Sequence, residues 1–309
     1  MEFTTHTNAL LALAAAASWG GGDFSGGMGV KAEGGTTISA LRVIIVAHAM
    51  SLVVLLSILW IRPVPMPTGN LLAWGLVAGL VAAFSVTAFY IALSRGAMGA
   101  SAAVSGLLAA AIPAIVSSFL EGTPSLVRLC GFLLAAVAIW LIAAGTSPEN
   151  GPDTNLRGTM ALSIGAGIGF GIYFVALRMD NSLGLLVPMA LARSASLLSC
   201  VLFLCTLRLR RKNKPLSSIS KECDPKQRQV WLTPRALIWA CGVAVLDTAG
   251  NILFVAATRM GRLDTASVLA SLYPAGTILL AAWMLHERPT SRQFAGMAVA
   301  LVAVLMITR

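Results

Sequence analysis

Long apolar runs alternate with short polar breaks along most of the chain. Ten runs stand out, at about residues 8–30, 37–61, 70–94, 98–120, 125–146, 157–177, 183–207, 234–257, 263–285 and 291–308. A hydrocarbon layer is ~30 Å thick and a helix rises ~1.5 Å per residue, so each run with its flanks is long enough to cross a bilayer. Backbone groups in lipid must be satisfied within the segment, and the runs lack the alternation of barrel strands, so each predicts a transmembrane helix. The breaks carry turn residues: Arg62-Pro63-Val64-Pro65-Met66-Pro67, Glu121-Gly122-Thr123-Pro124 and Ser147-Pro148-Glu149-Asn150-Gly151-Pro152. The last of these divides the chain into 1–148 and 149–309, five spans each. The one long polar loop, 208–233, is basic and is expected to be mobile. The expected fold class is all-α integral membrane, with no soluble domain.

The two halves resemble each other. Arg95, Glu121 and Gly131 recur as Arg259, Glu287 and Gly296, at offsets of 164, 166 and 165. More weakly, Gly20, Phe24 and Arg42 align with Gly171, Tyr173 and Arg193, at offsets of 149 to 151. A period this long in an apolar chain indicates a duplicated membrane unit. An odd number of spans per unit makes the second half enter the membrane in the opposite sense. The expected architecture is therefore ten transmembrane helices as two inverted five-helix repeats.

Composition agrees. The chain is 57% hydrophobic and only 11% charged, against roughly a quarter charged in soluble proteins. Its net charge of +10 is local, because nine of its 22 Lys and Arg lie between Arg208 and Arg235. A basic tract beside a span is a topology signal or an anionic-lipid contact, so nucleic-acid binding is not expected. Of the five cysteines, Cys130, Cys200, Cys205 and Cys241 sit in apolar runs and Cys223 in the basic loop, with no metal or redox spacing. The N-terminus lacks a Lys/Arg leader region, and the first run reads as a retained span rather than a cleaved signal.

Charged residues deep in spans are the candidates for chemistry. Asp23, Arg193 and Asp247 each lie ten or more residues from the start of their helix. A charge at the bilayer centre costs at least ~2.5–3.5 kcal/mol, so such residues face a partner or a water-filled cavity. Asp23 lies among Gly20, Gly21, Gly22, Gly26 and Gly27. Either the first helix is broken or flexible and presents the carboxylate to a cavity, or the glycines serve tight packing and Asp23 pairs with Arg42 or Arg193. Arg42 lies nearer its helix end, where a long side chain can snorkel to the interface. Asp247 and Asn251, four residues apart, share a helix face, either lining a cavity or pairing structurally. Tyr273-Pro274 interrupts the ninth span, and Pro113 does likewise in the fourth. Tyr90, Tyr173 and Tyr273 are the only tyrosines, suited either to stacking on a solute or to packing. Glu121 and Glu287 at helix ends read as caps or turn fasteners. His48 and His286 belong to no ligand cluster, so no metal is expected, and the glycines at 165, 167, 169 and 171 do not form a nucleotide loop. No cofactor and no nucleophile–base constellation is expected.

The order of Trp19-Gly20, Arg42, Arg193, Ser271-Leu272-Tyr273-Pro274, His286-Glu287-Arg288 and Gly296 over ten spans resembles EamA-type members of the drug/metabolite transporter superfamily. The first-half Leu120-Glu121-Gly122 is a degenerate copy that lacks Tyr-Pro. The resemblance covers almost the whole chain except 208–233. It implies a secondary transporter, an exporter of small metabolites such as amino acids, working by alternating access in the inner or plasma membrane. It also implies cytoplasmic termini, whereas the charge of the 208–235 tract places the termini outside. In this reading Asp23 or Asp247 couples transport to a proton or cation, and Arg42 and Arg193 hold an anionic solute or neutralise the acids. A membrane-embedded enzyme would need a nucleophile or metal cluster, which the sequence lacks, and a non-transporting scaffold has no use for isolated midplane charges.

Overall fold

The computed structural model of the chain describes residues 2–61, 64, 67–94, 98–144, 156–179, 184–212, 231–284 and 290–307. They form eleven helices: α1 (Glu2–Ala32), α2 (Thr37–Ile61), α3 (Asn70–Ser94), α4 (Met98–Leu120), α5 (Leu126–Ala144), α6 (Leu156–Met179), α7 (Leu186–Lys212), α8 (Pro234–Met260), α9 (Leu263–Ala270), α10 (Tyr273–Met284) and α11 (Ser291–Ile307). No strand occurs among the described residues. Three helices span the same residues as their apolar runs, at 37–61, 70–94 and 98–120. By length and composition α2, α3, α6, α7 and α8 can each cross a membrane, and shorter apolar helical stretches lie at Val104–Leu120, Leu126–Leu141 and Ser291–Ile307. The chain is a multi-pass membrane protein. Arg95, Cys223, His286-Glu287-Arg288, the 147–152 junction and most of the basic loop lie outside the described residues.

Eleven helices result from ten runs because the ninth run is broken. Proline has no N–H to give, and its ring crowds the carbonyl four residues back. For Pro274 that carbonyl belongs to Ala270, the last residue of α9. The chain crosses the gap in a tight turn: the Leu272 N–H donates to Leu269 O (3.2 Å) and the Ala275 N–H to Leu272 O (3.0 Å). α10 then restarts at Tyr273, with the proline in its first turn, where a missing N–H costs nothing. Pro113 behaves differently from expectation, since α4 runs on through it.

α1 also departs from one of its two sequence readings. It is a single unbroken helix of 31 residues despite its glycines. Its neighbours supply the stability that the glycines withhold. α1 packs along α8 and against α9 and α10. A Cβ at Gly20 would stand 2.7 Å from the Tyr273 carbonyl oxygen and 2.9 Å from Gly276 Cα, so the two backbones touch there. Thr277 Oγ1 donates to Gly20 O across this contact (3.0 Å).

The remaining pairings build one bundle. α3 packs on α6, α4 on α6 and α9, α2 on α7 and α8, and α3 on α7, while α5 and α11 form an outer pair. Small residues such as Ala12, Ala15, Ala236, Ala240 and Ala257 are fully buried between helices. Such small side chains let helices approach closely where no hydrophobic effect draws them together in lipid. Large apolar side chains point outward instead, including Trp60 (88% exposed) and Phe119 (86%), as a lipid-facing surface requires.

The Gly20 contact yields a test. Gly20→Val forces backbone apart at the α1–α10 crossing and is expected to cost ~1–3 kcal/mol or more. The readout is the melting temperature of the detergent-purified protein. Gly27→Ala, where a Cβ meets nothing within 4 Å, is expected to hold or raise it.

Candidate functional site

At the centre of the bundle lies a cavity of about 40 Å³, room for roughly one water. α1 contributes Trp19 and Asp23, α2 contributes His48, and α3 contributes Tyr90. α6 brings Tyr173 with Phe170 and Phe174, α7 brings Arg193, and α8 brings Asp247 and Asn251. Tyr273, the first residue after the helix break, completes the wall. Seven of the eight candidates named from sequence thus meet in one place. Arg42 does not line the cavity; it is half-buried, and its Nε is enclosed with no hydrogen-bond partner among the described residues. α4 stays in the layer behind, where Ser105 Oγ hydrogen-bonds the Tyr273 hydroxyl at 3.0 Å.

The site is built on one ion pair. Arg193 Nη2 of α7 meets Asp247 Oδ2 of α8. Arg193 is almost fully enclosed, with 5% of its side chain exposed, whereas Asp247 keeps 24% toward the cavity. The second arm of the guanidinium, Nη1, bonds His48 Nε2 at 2.8 Å. An arginine only donates, so Nε2 must offer its lone pair, and the imidazole is neutral with its proton on Nδ1. That proton is then directed at Ser196 Oγ, 2.9 Å away. Beside the cavity α2 is also tied to α8, where the Ser51 hydroxyl donates to Ala244 O (3.1 Å).

Asn251, one turn along α8 from Asp247, accepts from the Tyr173 hydroxyl (2.8 Å) and donates to the Asp247 carbonyl (2.7 Å). The apolar walls are two aromatic groups. Trp19 stacks on Phe174 at 5.0 Å, and Phe174 lies 4.5 Å from Phe254. Opposite, Phe89 meets Phe170 edge-on at 5.6 Å and Tyr273 at 6.2 Å. Gly250 makes room for Trp19, because a Cβ there would stand 2.6 Å from the indole Cδ1.

Asp23 takes neither of the partners that its sequence suggested. Arg193 is committed to Asp247, and Asp23 has no hydrogen bond or ion pair among the described residues. Its position follows from α1's contacts: one residue earlier, α1 at Gly22 lies against Asp247 of α8, and three residues earlier, Gly20 touches Tyr273.

Sequence reasoning missed His48 and the phenylalanines. His48 was weighed only as a metal ligand; the signal that marks it is an ionisable residue in mid-span, the same signal that marked Arg193. No group of metal-holding side chains occurs among the described residues. A second recess of about 560 Å³ lies between α2, α3, α6 and α7, but no charged side chain lines it.

Glu121 does more than fasten its own turn. Its Oε1 takes an ion pair from Arg178 at 3.0 Å, and its Oε2 accepts from Ser117 (2.8 Å) and from the Leu263 N–H (2.9 Å). Arg262 Nη1 donates to the Glu121 carbonyl at 2.8 Å while pairing with the buried Asp264. At the other end of the bundle Glu33 Oε1 accepts from both the N–H and the hydroxyl of Thr233, each at 2.8 Å.

The central pair predicts an asymmetric mutational pattern. Arg193→Ala leaves Asp247 enclosed without a counter-charge, an expected loss of about 3–5 kcal/mol. Replacing both residues by alanine is expected to recover part of that loss. Thermal melts of the single and double variants in detergent decide it.

Comparison with known proteins agrees with this architecture. No curated protein matches the sequence. A protein of known crystal structure shares the fold with a TM-score of 0.69 over 97% of this chain and 95% of its own, at 15% identity. The model of the EamA-like transporter family matches residues 157–309, from the start of α6 to the C-terminus. Residues 157–309 of this chain therefore belong to the EamA-like transporter family.

Proposed function

We propose that the chain is a secondary-active transporter that exports small metabolites across the inner or plasma membrane by alternating access around the central cavity. The observation that carries this reading is the placing of Asp23, Asp247, Arg193 and His48 together at mid-depth in an apolar bundle. Ionisable groups there are expensive and mark solute or ion pathways. A cavity of about 40 Å³ suits an occluded state that widens when the bundle opens to one side.

Two features support rocking of one half on the other. The first is the pairing of helices. α1 on α8 answers α3 on α6; α4 on α6 answers α9 and α10 on α1; α3 on α7 answers α2 on α8. Exchanging the two halves leaves this scheme unchanged, as two inverted five-helix repeats at 1–148 and 149–309 would. The second is the pair of polar ties between the halves, Glu121 with Arg178 and Leu263 at one end and Glu33 with Thr233 at the other. Alternating access requires one end to open while the other holds, and each tie closes one end.

Asp23 is the coupling group in this reading, because Asp247 is already neutralised by Arg193. The charged and titratable groups around it are Asp247, Arg193, His48, Tyr90, Tyr173 and Tyr273.

Counterflow in proteoliposomes of the purified protein tests the proposal, with amino acids, nucleosides, sugars and organic cations, with and without an imposed pH gradient. Saturable exchange of at least one solute is expected, and Asp23→Asn is expected to remove the effect of the gradient. Gradient-driven flux that survives both Asp23→Asn and Asp247→Asn would show the coupling assignment to be wrong. Absence of exchange with every solute class, in vesicles holding folded protein, would count against transport.

A further inference from the structure

The charges of the central cavity do not cancel. It holds two carboxylates, Asp23 and Asp247, and one guanidinium, Arg193. His48 adds nothing, because its Nε2 accepts from Arg193. With both aspartates ionised, the cavity carries one net negative charge, and it resides on Asp23, the carboxylate without a partner among the described residues.

The same inventory argues against an anionic or zwitterionic solute. An anion needs donors that are free to turn to it, and arginine offers its fork of N–H groups for that purpose. Here the charge of Arg193 is already matched by Asp247 at Nη2, and Nη1 is held in place by His48. The asparagine amide is likewise bonded, to the Asp247 carbonyl. The Tyr173 hydroxyl gives its proton to Asn251.

The walls around Asp23 are aromatic. Trp19 lies one turn away on the same helix, Tyr90 faces it from α3, and Tyr273 faces it from the helix break. Tyr90 is 3% exposed, and its hydroxyl bonds to nothing among the described residues. Its ring lies over α1 at Gly26, the next turn after Asp23, where a side chain would leave it no room. A small metal cation wants a cage of six or so oxygen ligands, whereas Asp247, Asn251, Tyr173 and Tyr273 already hold protein partners here. An alkylammonium wants one carboxylate and several ring faces, because the negative face of each ring attracts a desolvated cation.

We propose that the solute this cavity receives when the bundle opens is a small organic monocation, with its ammonium group seated on Asp23 and Tyr90 between Trp19 and Tyr273. The assignment rests on the reading of the cavity as the solute site, and it narrows that reading to one charge class. The cation supplies the counter-charge that the protein withholds from Asp23. The neutralised Arg193–Asp247 pair forms the floor of the site rather than a second binding point.

Isothermal titration of the full-length protein in detergent tests this with three probes of one size, n-butylammonium, n-butanol and n-butyrate, and with sodium chloride as the ionic control. Saturable binding of n-butylammonium alone is expected. Asp23→Asn is expected to weaken it at least about tenfold, which is about 1.4 kcal/mol. Tyr90→Leu is expected to weaken it more than Tyr90→Phe, which keeps the ring. Binding of n-butyrate or n-butanol as tight as that of the amine, protection by sodium alone, no binding of the amine, or an unaltered Asp23→Asn variant would each overturn the proposal. Counterflow of labelled n-butylammonium separates the two claims. Binding without exchange would sink transport and leave the cation site standing, whereas exchange of n-butyrate without cation binding would sink the cation assignment and leave transport standing.

Discussion

A charge inside an apolar layer is costly unless a partner neutralises it where it stands, because little water and no polar backbone is at hand to do it. In this chain Arg193 and Asp247 neutralise each other between α7 and α8. The pair fixes more than two side chains. The guanidinium reaches on to His48 of α2, and His48 reaches back to Ser196 of α7, so three helices share one polar core. Removing either partner would expose the other to the same penalty. The arrangement is thus held by what it would cost to undo it rather than by the worth of one bond. It also leaves Asp23 as the cavity carboxylate without a partner among the described residues.

Close approach of backbones is the second constraint. Lipid tails are as apolar as the helices they surround, so association rests on contact and on a few hydrogen bonds. The glycines of α1 and the buried alanines of α1 and α8 supply that contact. They bring Asp23 beside Asp247 and Tyr273. Where α1 touches the start of α10, the break at Pro274 turns the chain so that Tyr273 enters the cavity wall. An irregular backbone at this depth is tolerated only against protein or a cavity, and Ser271, Leu272 and Tyr273 are all buried in the bundle.

The polar ties at the two ends of the bundle belong to the same logic. Glu121, Arg178, Arg262 and Asp264 gather where α4 and α6 end and α9 begins, and Glu33 meets Thr233 where α1 ends and α8 begins. These groups lie at helix ends, where water is nearer and the cost of holding or releasing a charge falls.

Much of this was legible in the chain alone. Run lengths determined where the helices lie, because a bilayer sets a minimum length and lipid forbids an unsatisfied backbone. The cost of a buried charge singled out Asp23, Arg193 and Asp247, and the geometry of proline marked the break at Tyr273-Pro274. What a sequence cannot express is which face of each helix meets which neighbour. Arg42 and Arg193 looked equivalent by repeat position, yet only Arg193 lines the cavity. His48 and Phe174 carried no spacing signal, yet both stand in the wall. The glycine run announced either a broken helix or a tightly packed one, and contact with α8 and α10 decided for the unbroken helix. The partner of Asp247, and the absence of one for Asp23 among the described residues, were set when α7 and α8 came within reach of each other. Local sequence states what each helix must hide; only the assembled bundle determines which charge is left without a partner.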